Sequence, residues 1–219
     1  MKIINYIIRV TSVLSIVGAI LLYVLHGKSE GQILGRTFPV IFSSIIIFIV
    51  TFLPNMLLKK NIEIPKLTYG ILLGTIILSM GGGYVLMLYH RLNYFDTFVH
   101  FINGIILVLG FFVVVYYFVK DPKEHIFAII LLSVLAAISL GTIWEIFEFV
   151  VDLIVPGSNM QRFQDLKTGE NLVGQAALMD TMIDIVVDTL GAILGGLILR
   201  IDYLRRHILI DSIVLRKIE

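Results

Sequence analysis

"LMDTMIDIVVDTLGAILGG", residues 178–196, combines the hydrophobicity of a membrane-spanning helix with three aspartates, Asp180, Asp184 and Asp188, at four-residue intervals. Its setting says which reading holds. The chain has a mean hydropathy of +0.97, 58% hydrophobic residues and 15% charged ones, against about 25% charged in soluble domains. Several other apolar runs pass the roughly 18 residues that mark a spanning segment. The stretch therefore belongs to a polytopic membrane protein, an all-α helical bundle. A net charge of +1 argues against a nucleic-acid partner. With no cysteine, disulfide, thiolate and Cys-ligated zinc chemistry are excluded.

Hydropathy places six transmembrane helices at about 4–25, 37–58, 66–89, 95–119, 126–154 and 179–200, in a single integral membrane domain covering 1–219. The first run lacks a small-x-small cleavage site and reads as a retained anchor. Residues 201–219 mix basic and aliphatic positions, which predicts an amphipathic tail in the headgroup region. Lysine and arginine divide twelve to five in favour of cytoplasmic N and C termini. In that topology three acidic groups reach the same outer level: Asp96 with His100, Glu145 with Glu148 and Asp152, and the aspartates of the quoted stretch.

At about 100° per residue, steps of four and seven drift only about 40° and 20°. Asp96, His100 and Asn103 therefore share one helix face, as do the acids of each other group. Gly104, Ala137, Gly141, Gly191 and Gly195 continue those faces, and small residues let membrane helices approach closely. The polar stripes are expected to face a bundle interior.

Eight ionisable groups at about 2.5–3.5 kcal/mol each would cost on the order of 20 kcal/mol, more than the roughly 5–15 kcal/mol of a whole domain. Arg91 is the only basic residue near them in sequence. Two devices offset such a cost: protonated carboxyls with raised pKa, or bound divalent cations. Carboxylates with one imidazole suit Mg²⁺, Mn²⁺, Fe²⁺ or Zn²⁺. The candidate ligands of a divalent metal ion are Asp96, His100, Glu145, Glu148, Asp180, Asp184 and Asp188. His100, Glu145 and Asp184 are candidate acid–base residues.

Around this group, Asn103, Trp144 and Arg162 are candidate substrate contacts, although an interfacial indole is the simpler reading of Trp144. The 156–178 loop exceeds a short helix connection and would overhang the acids as a lid, with Arg162 and Lys167 meeting an anionic headgroup. "SMGGGY" in the third helix is either an unwound hinge or a close-packing patch.

"FDTFVHFINGI" (95–105), "WEIFEFVVD" (144–152) and "DTMIDIVVDTLGA" (180–192) resemble the D-x-x-x-H-F-x-x-G, E-x-x-E and D-x-x-x-D…GA signatures of YjdF-like bacterial inner-membrane proteins. More distantly they are similar to VanZ-like proteins. The likeness covers about residues 94–196. It implies a multi-pass protein of the bacterial cytoplasmic membrane with Asp96, His100, Glu145, Glu148, Asp180 and Asp184 as its site. The GDxWD-type approach to the last motif is here "GQAALMD", so whatever that loop recognises differs.

Three functions fit these residues. The first is a metal-dependent hydrolase or transferase acting on a membrane lipid or lipid-linked group. The second is a divalent-cation or proton-coupled transporter, and the third a non-catalytic scaffold. The inner halves of helices four to six carry few ionisable residues, which favours a site open to one side over a transport path.

Overall fold

The computed structural model describes residues 2–27, 33–92, 94–165 and 168–218. Lys28 and Lys167, used in the charge count and the lid reading, lie outside them. Among the described residues six helical segments of 20 to 31 residues are long and apolar enough to cross a membrane, as hydropathy predicts. The secondary structure runs α1 (Lys2–His26), α2 (Ile33–Val50), α3 (Leu53–Leu58), β1 (Ile62–Glu63), α4 (Lys66–Ile76), a π-helix (Ile77–Val85), α5 (Leu88–Arg91), α6 (Phe95–Phe118), α7 (Ile126–Ile154), α8 (Gln175–Arg205), α9 (Ile208–Ile213) and β2 (Arg216–Lys217).

Two predicted spans are interrupted, each for a local reason. The 37–58 span begins at Ile33 and breaks at Thr51–Phe52, because Pro54 near the start of α3 has no N–H to continue the ladder. Arg9 of α1 takes up the break. Its Nε donates to Thr51 Oγ1 at 2.7 Å and its Nη2 to the Thr51 carbonyl at 3.0 Å, so this intramembrane cation is partnered. The 66–89 span is α-helical only to Ile76. The wider π turns then carry the three glycines of "SMGGGY", and left-handed Met87 (φ 58°) ends them. A Cβ on Gly83 would overlap the Tyr89 ring, so close packing is one role of that patch.

The chain forms two compact units, the first of Met1–Thr51, Ile76–Asp96 and Ile143–Ile183, the second of Phe52–Thr75, Thr97–Thr142 and Asp184–Glu219. In the first, α1 packs on α2. The loop after α7 is ordered by Asp152, whose Oδ1 accepts from the Ser158 hydroxyl (2.6 Å) and the Met160 amide (2.8 Å), and whose Oδ2 accepts from the Gln161 amide (3.0 Å). Asp152 is thus a structural anchor for that loop.

The second unit has its core in Val108, Phe112, Ile129, Leu199, Ile210 and Ile213. The last two correct the tail expectation. Instead of one amphipathic helix over 201–219, α8 runs to Arg205, His207 turns left-handed (φ 55°), and α9 buries Ile210 and Ile213. The Asp202 carboxylate accepts from the Leu209 and Ile210 amides, both at 3.0 Å. Antiparallel β2 then pairs with β1, Ile62 opposite Lys217 and Glu63 opposite Arg216. Two apolar positions of the tail, Ile210 and Ile213, thus pack into a protein core.

Candidate functional site

In the second unit, glycines set the distance between α6 and α8. A Cβ on Gly104 would overlap the Asp188 carbonyl, and one on Gly191 would overlap the Phe101 carbonyl. On Gly195 it would lie 3.0 Å from the Ile105 carbonyl oxygen. Only glycine permits backbones this close. The approach brings His100 Nδ1 to 3.1 Å from Asp188 Oδ2 and leaves His100 Nε2 3.9 Å from Asp184 Oδ2. Gly141 of α7 adjoins the same carboxylate, since a Cβ there would stand 2.5 Å from Asp188 Oδ2.

These distances separate two roles. At 3.1 Å Asp188 orients the imidazole through Nδ1. At 3.9 Å Nε2 and Asp184 are beyond hydrogen-bonding range, yet close to the roughly 3–4 Å that separates two ligands each about 2.1 Å from one ion. A carboxylate on one ring nitrogen with the other turned to a cation is the usual arrangement of a metal-bound histidine.

Asp96 lies one turn before His100 on α6 and is 8% exposed. His100 and Asp184, both buried in the second unit, can offer an imidazole nitrogen and a carboxylate oxygen to one metal ion. A hard or borderline divalent cation fits such a mixed carboxylate and imidazole donor set.

Within the first unit, Arg162 takes the place that sequence proximity assigned to Arg91, which is exposed. Its Nη2 stands 3.2 Å from Asp96 Oδ2 and 3.1 Å from the Tyr89 carbonyl, and its Nη1 3.4 Å from Asp180 Oδ1. Its left-handed backbone (φ 48°) belongs to the turn that delivers it. This guanidinium balances Asp96 and Asp180, whereas the sequence suggested contact with a headgroup. Glu145 and Glu148 are 2% and 5% exposed. Trp144 Nε1 donates to Glu148 Oε1 at 2.8 Å, so the indole holds a carboxylate in place. Gln161 Nε2 reaches the Glu145 carbonyl at 3.3 Å and Thr181 Oγ1 at 2.9 Å.

Of the seven predicted metal ligands, Asp96, His100, Glu145, Glu148, Asp184 and Asp188 are buried and Asp180 is half-buried. Asn103 is half-buried on α6. Tyr84, in the π-helix and within electrostatic reach of Glu148, Asp96 and Glu145, was not among the predicted residues. Its only signal was its place beside the glycines.

A cavity of about 930 Å³ lies in the first unit, with Asp96, Glu148, Arg162, Tyr84, Arg36 and His90 in its wall. His90, in the short α5, has its pKa lowered from 6.5 by partial burial and by the Arg162 and Arg36 charges.

Comparison with known proteins adds kinship. Residues 7–205 match the family described as "Predicted membrane protein (DUF2238)". A Thermotoga maritima protein, named only as an uncharacterized protein, is 28% identical over 131 residues, and the match spans 59% of each chain. No solved structure matches the chain, and no comparison shows a VanZ-like kinship. The match to residues 7–205 covers most of the sequence, and the chain belongs to the DUF2238 family of predicted membrane proteins.

Proposed function

We propose that this integral membrane protein is a divalent-metal-dependent hydrolase or transferase acting on a lipid or lipid-linked group. The observation that carries the reading is the pair of distances at His100, 3.1 Å to Asp188 and 3.9 Å to Asp184. One side of the ring is oriented and the other is presented with a second buried donor.

His100 and Asp184 would hold the ion, and the sequence motifs offer Asp96, Glu145, Glu148 and Asp180 as the further acidic donors. A bound divalent cation supplies Lewis-acid polarisation of a phosphoryl or carbonyl oxygen and a more acidic water. The chain's own residues do the rest. Asp188 fixes the ring, Trp144 fixes Glu148, and Arg162 balances Asp96 and Asp180. Glu145 or Glu148 would accept the proton of the attacking water or alcohol. The YjdF-like motifs and the lysine and arginine distribution support a bacterial cytoplasmic membrane, cytoplasmic termini and a site open to the outer leaflet.

Metal analysis of the purified protein tests this. The expected result is about one tightly held divalent ion per chain, lost in Asp184→Asn. A protein without bound metal, whose stability in both wild-type and Asp184→Asn forms ignores added Mn²⁺ or Zn²⁺, would refute the reading. Cation flux in proteoliposomes would replace it with transport.

A further inference from the structure

In the second unit, the end at which α4 begins and α6 and α8 stop is drawn together by the C-terminal tail. β2 pairs with β1, and the Ile218 amide donates to the Asn61 carbonyl at 2.9 Å. Arg216 and Lys217 therefore lie beside the segment that carries Lys59 and Lys60. The Thr68 hydroxyl donates to the Ile213 carbonyl at 2.6 Å, which closes the tail on α4.

Charge at this end is not balanced. Residues 59–63 and 216–219 carry four basic and two acidic side chains. Glu63 stands directly across from Arg216, and the Lys217 ammonium is 5.9 Å from the centre of the Tyr117 ring. Lys59 and Lys60 are exposed, and among the described residues neither forms an ion pair.

These two lysines follow an apolar surface. Met56 and Leu58 of α3 are 59% and 54% exposed. With Phe52, Asn55 and Lys59 they line a groove of about 520 Å³. Lysines at the end of a spanning segment reach the headgroup level while apolar neighbours sit among acyl chains. A soluble polyanion would engage the lysines and leave the groove bare. A lipid with a neutral headgroup would fill the groove and leave the lysines uncompensated. An anionic phospholipid satisfies both.

We propose that the groove beside α3 binds an anionic phospholipid of the surrounding bilayer, with an acyl chain along Phe52, Met56 and Leu58 and the phosphate at Lys59 and Lys60. The site lies wholly in the second unit and needs no metal, so it stands or falls separately from the proposed function.

The experiment titrates the delipidated full chain in detergent with dioleoyl phosphatidylglycerol or dioleoyl phosphatidylcholine, and native mass spectrometry counts the bound lipids. The two share their chains and differ in headgroup charge. A basic residue near anionic lipid is worth about fivefold in affinity, so the first phosphatidylglycerol is expected to bind at least about fivefold tighter than phosphatidylcholine. Lys59→Gln/Lys60→Gln should bring the two lipids to parity, and Lys59→Arg/Lys60→Arg should keep the preference. Arg91→Gln removes an exposed charge that precedes α6 and should change nothing. Met56→Ser/Leu58→Ser should weaken both lipids alike. Glycerophosphoglycerol, the headgroup without chains, should fail to displace bound phosphatidylglycerol.

Equal binding of the two lipids by wild type would overturn the anionic assignment. An unchanged preference in Lys59→Gln/Lys60→Gln, or an equal loss in Arg91→Gln, would overturn the location. Unchanged affinity for both lipids in Met56→Ser/Leu58→Ser would remove the groove as the seat of the chain. Displacement by glycerophosphoglycerol as readily as by phosphatidylglycerol would replace the lipid with a soluble phosphodiester.

Discussion

Gly141→Ala is a small change placed against the atom that orients His100. An ideal Cβ there lies 2.5 Å from Asp188 Oδ2 and 3.0 Å from its Cγ. Carbon–oxygen contacts close no further than about 3.3–3.6 Å, so the carboxylate oxygen must retreat by roughly 1 Å. That oxygen sits 3.1 Å from His100 Nδ1, and most displacements of that size leave the about 2.7–3.2 Å hydrogen-bond window. Losing a hydrogen bond to a charged group costs about 1.5–3 kcal/mol. Alanine over glycine inside a helix returns about 1 kcal/mol, leaving a net destabilisation on the order of 1 kcal/mol.

Metal affinity should move much further. Loss of a partner that orients a ligand typically costs about 10–100-fold. The assay is a Mn²⁺ titration followed by electron paramagnetic resonance, with a thermal melt on the same sample. Gly110→Ala is the control, since it lies on α6 with nothing within 4 Å of an added Cβ. In an Asp188→Asn background Gly141→Ala should have little further effect, because the two act through one carboxylate. Wild-type Mn²⁺ affinity in Gly141→Ala would refute the claim that Asp188 positions His100.

Three further outcomes are expected. Asp152→Asn removes an acceptor from the Ser158–Gln161 turn and should cost about 1.5–3 kcal/mol, read as a lower melting temperature and faster proteolysis within 156–174. Trp144 is the chain's single tryptophan and donates to Glu148, so Glu148→Gln should shift its fluorescence whereas Glu145→Gln should not. His90 has a folded pKa below 6.5, from partial burial and the Arg162 and Arg36 charges. The unfolded chain therefore takes up that proton first. The stability present above pH 6.5 is lost as pH falls through 6.5 toward the folded value, and His90→Gln should flatten the melting temperature over that window.

Hydropathy alone located the spans, because bilayer thickness sets a length that soluble helices seldom reach in apolar residues. The stripes were legible for the same kind of reason. Helical period predicts which residues share a face, and Gly104, Gly191 and Gly195 mark where backbones meet. What escaped was decided by partners remote in sequence. Arg162 could not be matched to Asp96 and Asp180 from a loop with no periodicity. Trp144 looked interfacial because nothing in its spacing singles out an indole bonded to Glu148. The interruption at Thr51 needed Arg9 from another helix, and β1 found β2 only because α9 carries the tail back onto its unit. Asp188 shows the intermediate case, since its face was predictable but its contact with His100 depends on the α6–α8 separation.

The central claim is tested most directly by X-ray absorption at the metal edge of protein loaded with one equivalent of Mn²⁺ or Zn²⁺. A first shell of carboxylate oxygens with one imidazole nitrogen is expected, about 2.0–2.1 Å away for zinc, and the nitrogen signal should vanish in His100→Gln. An all-oxygen shell, the same in wild type and His100→Gln, would contradict it.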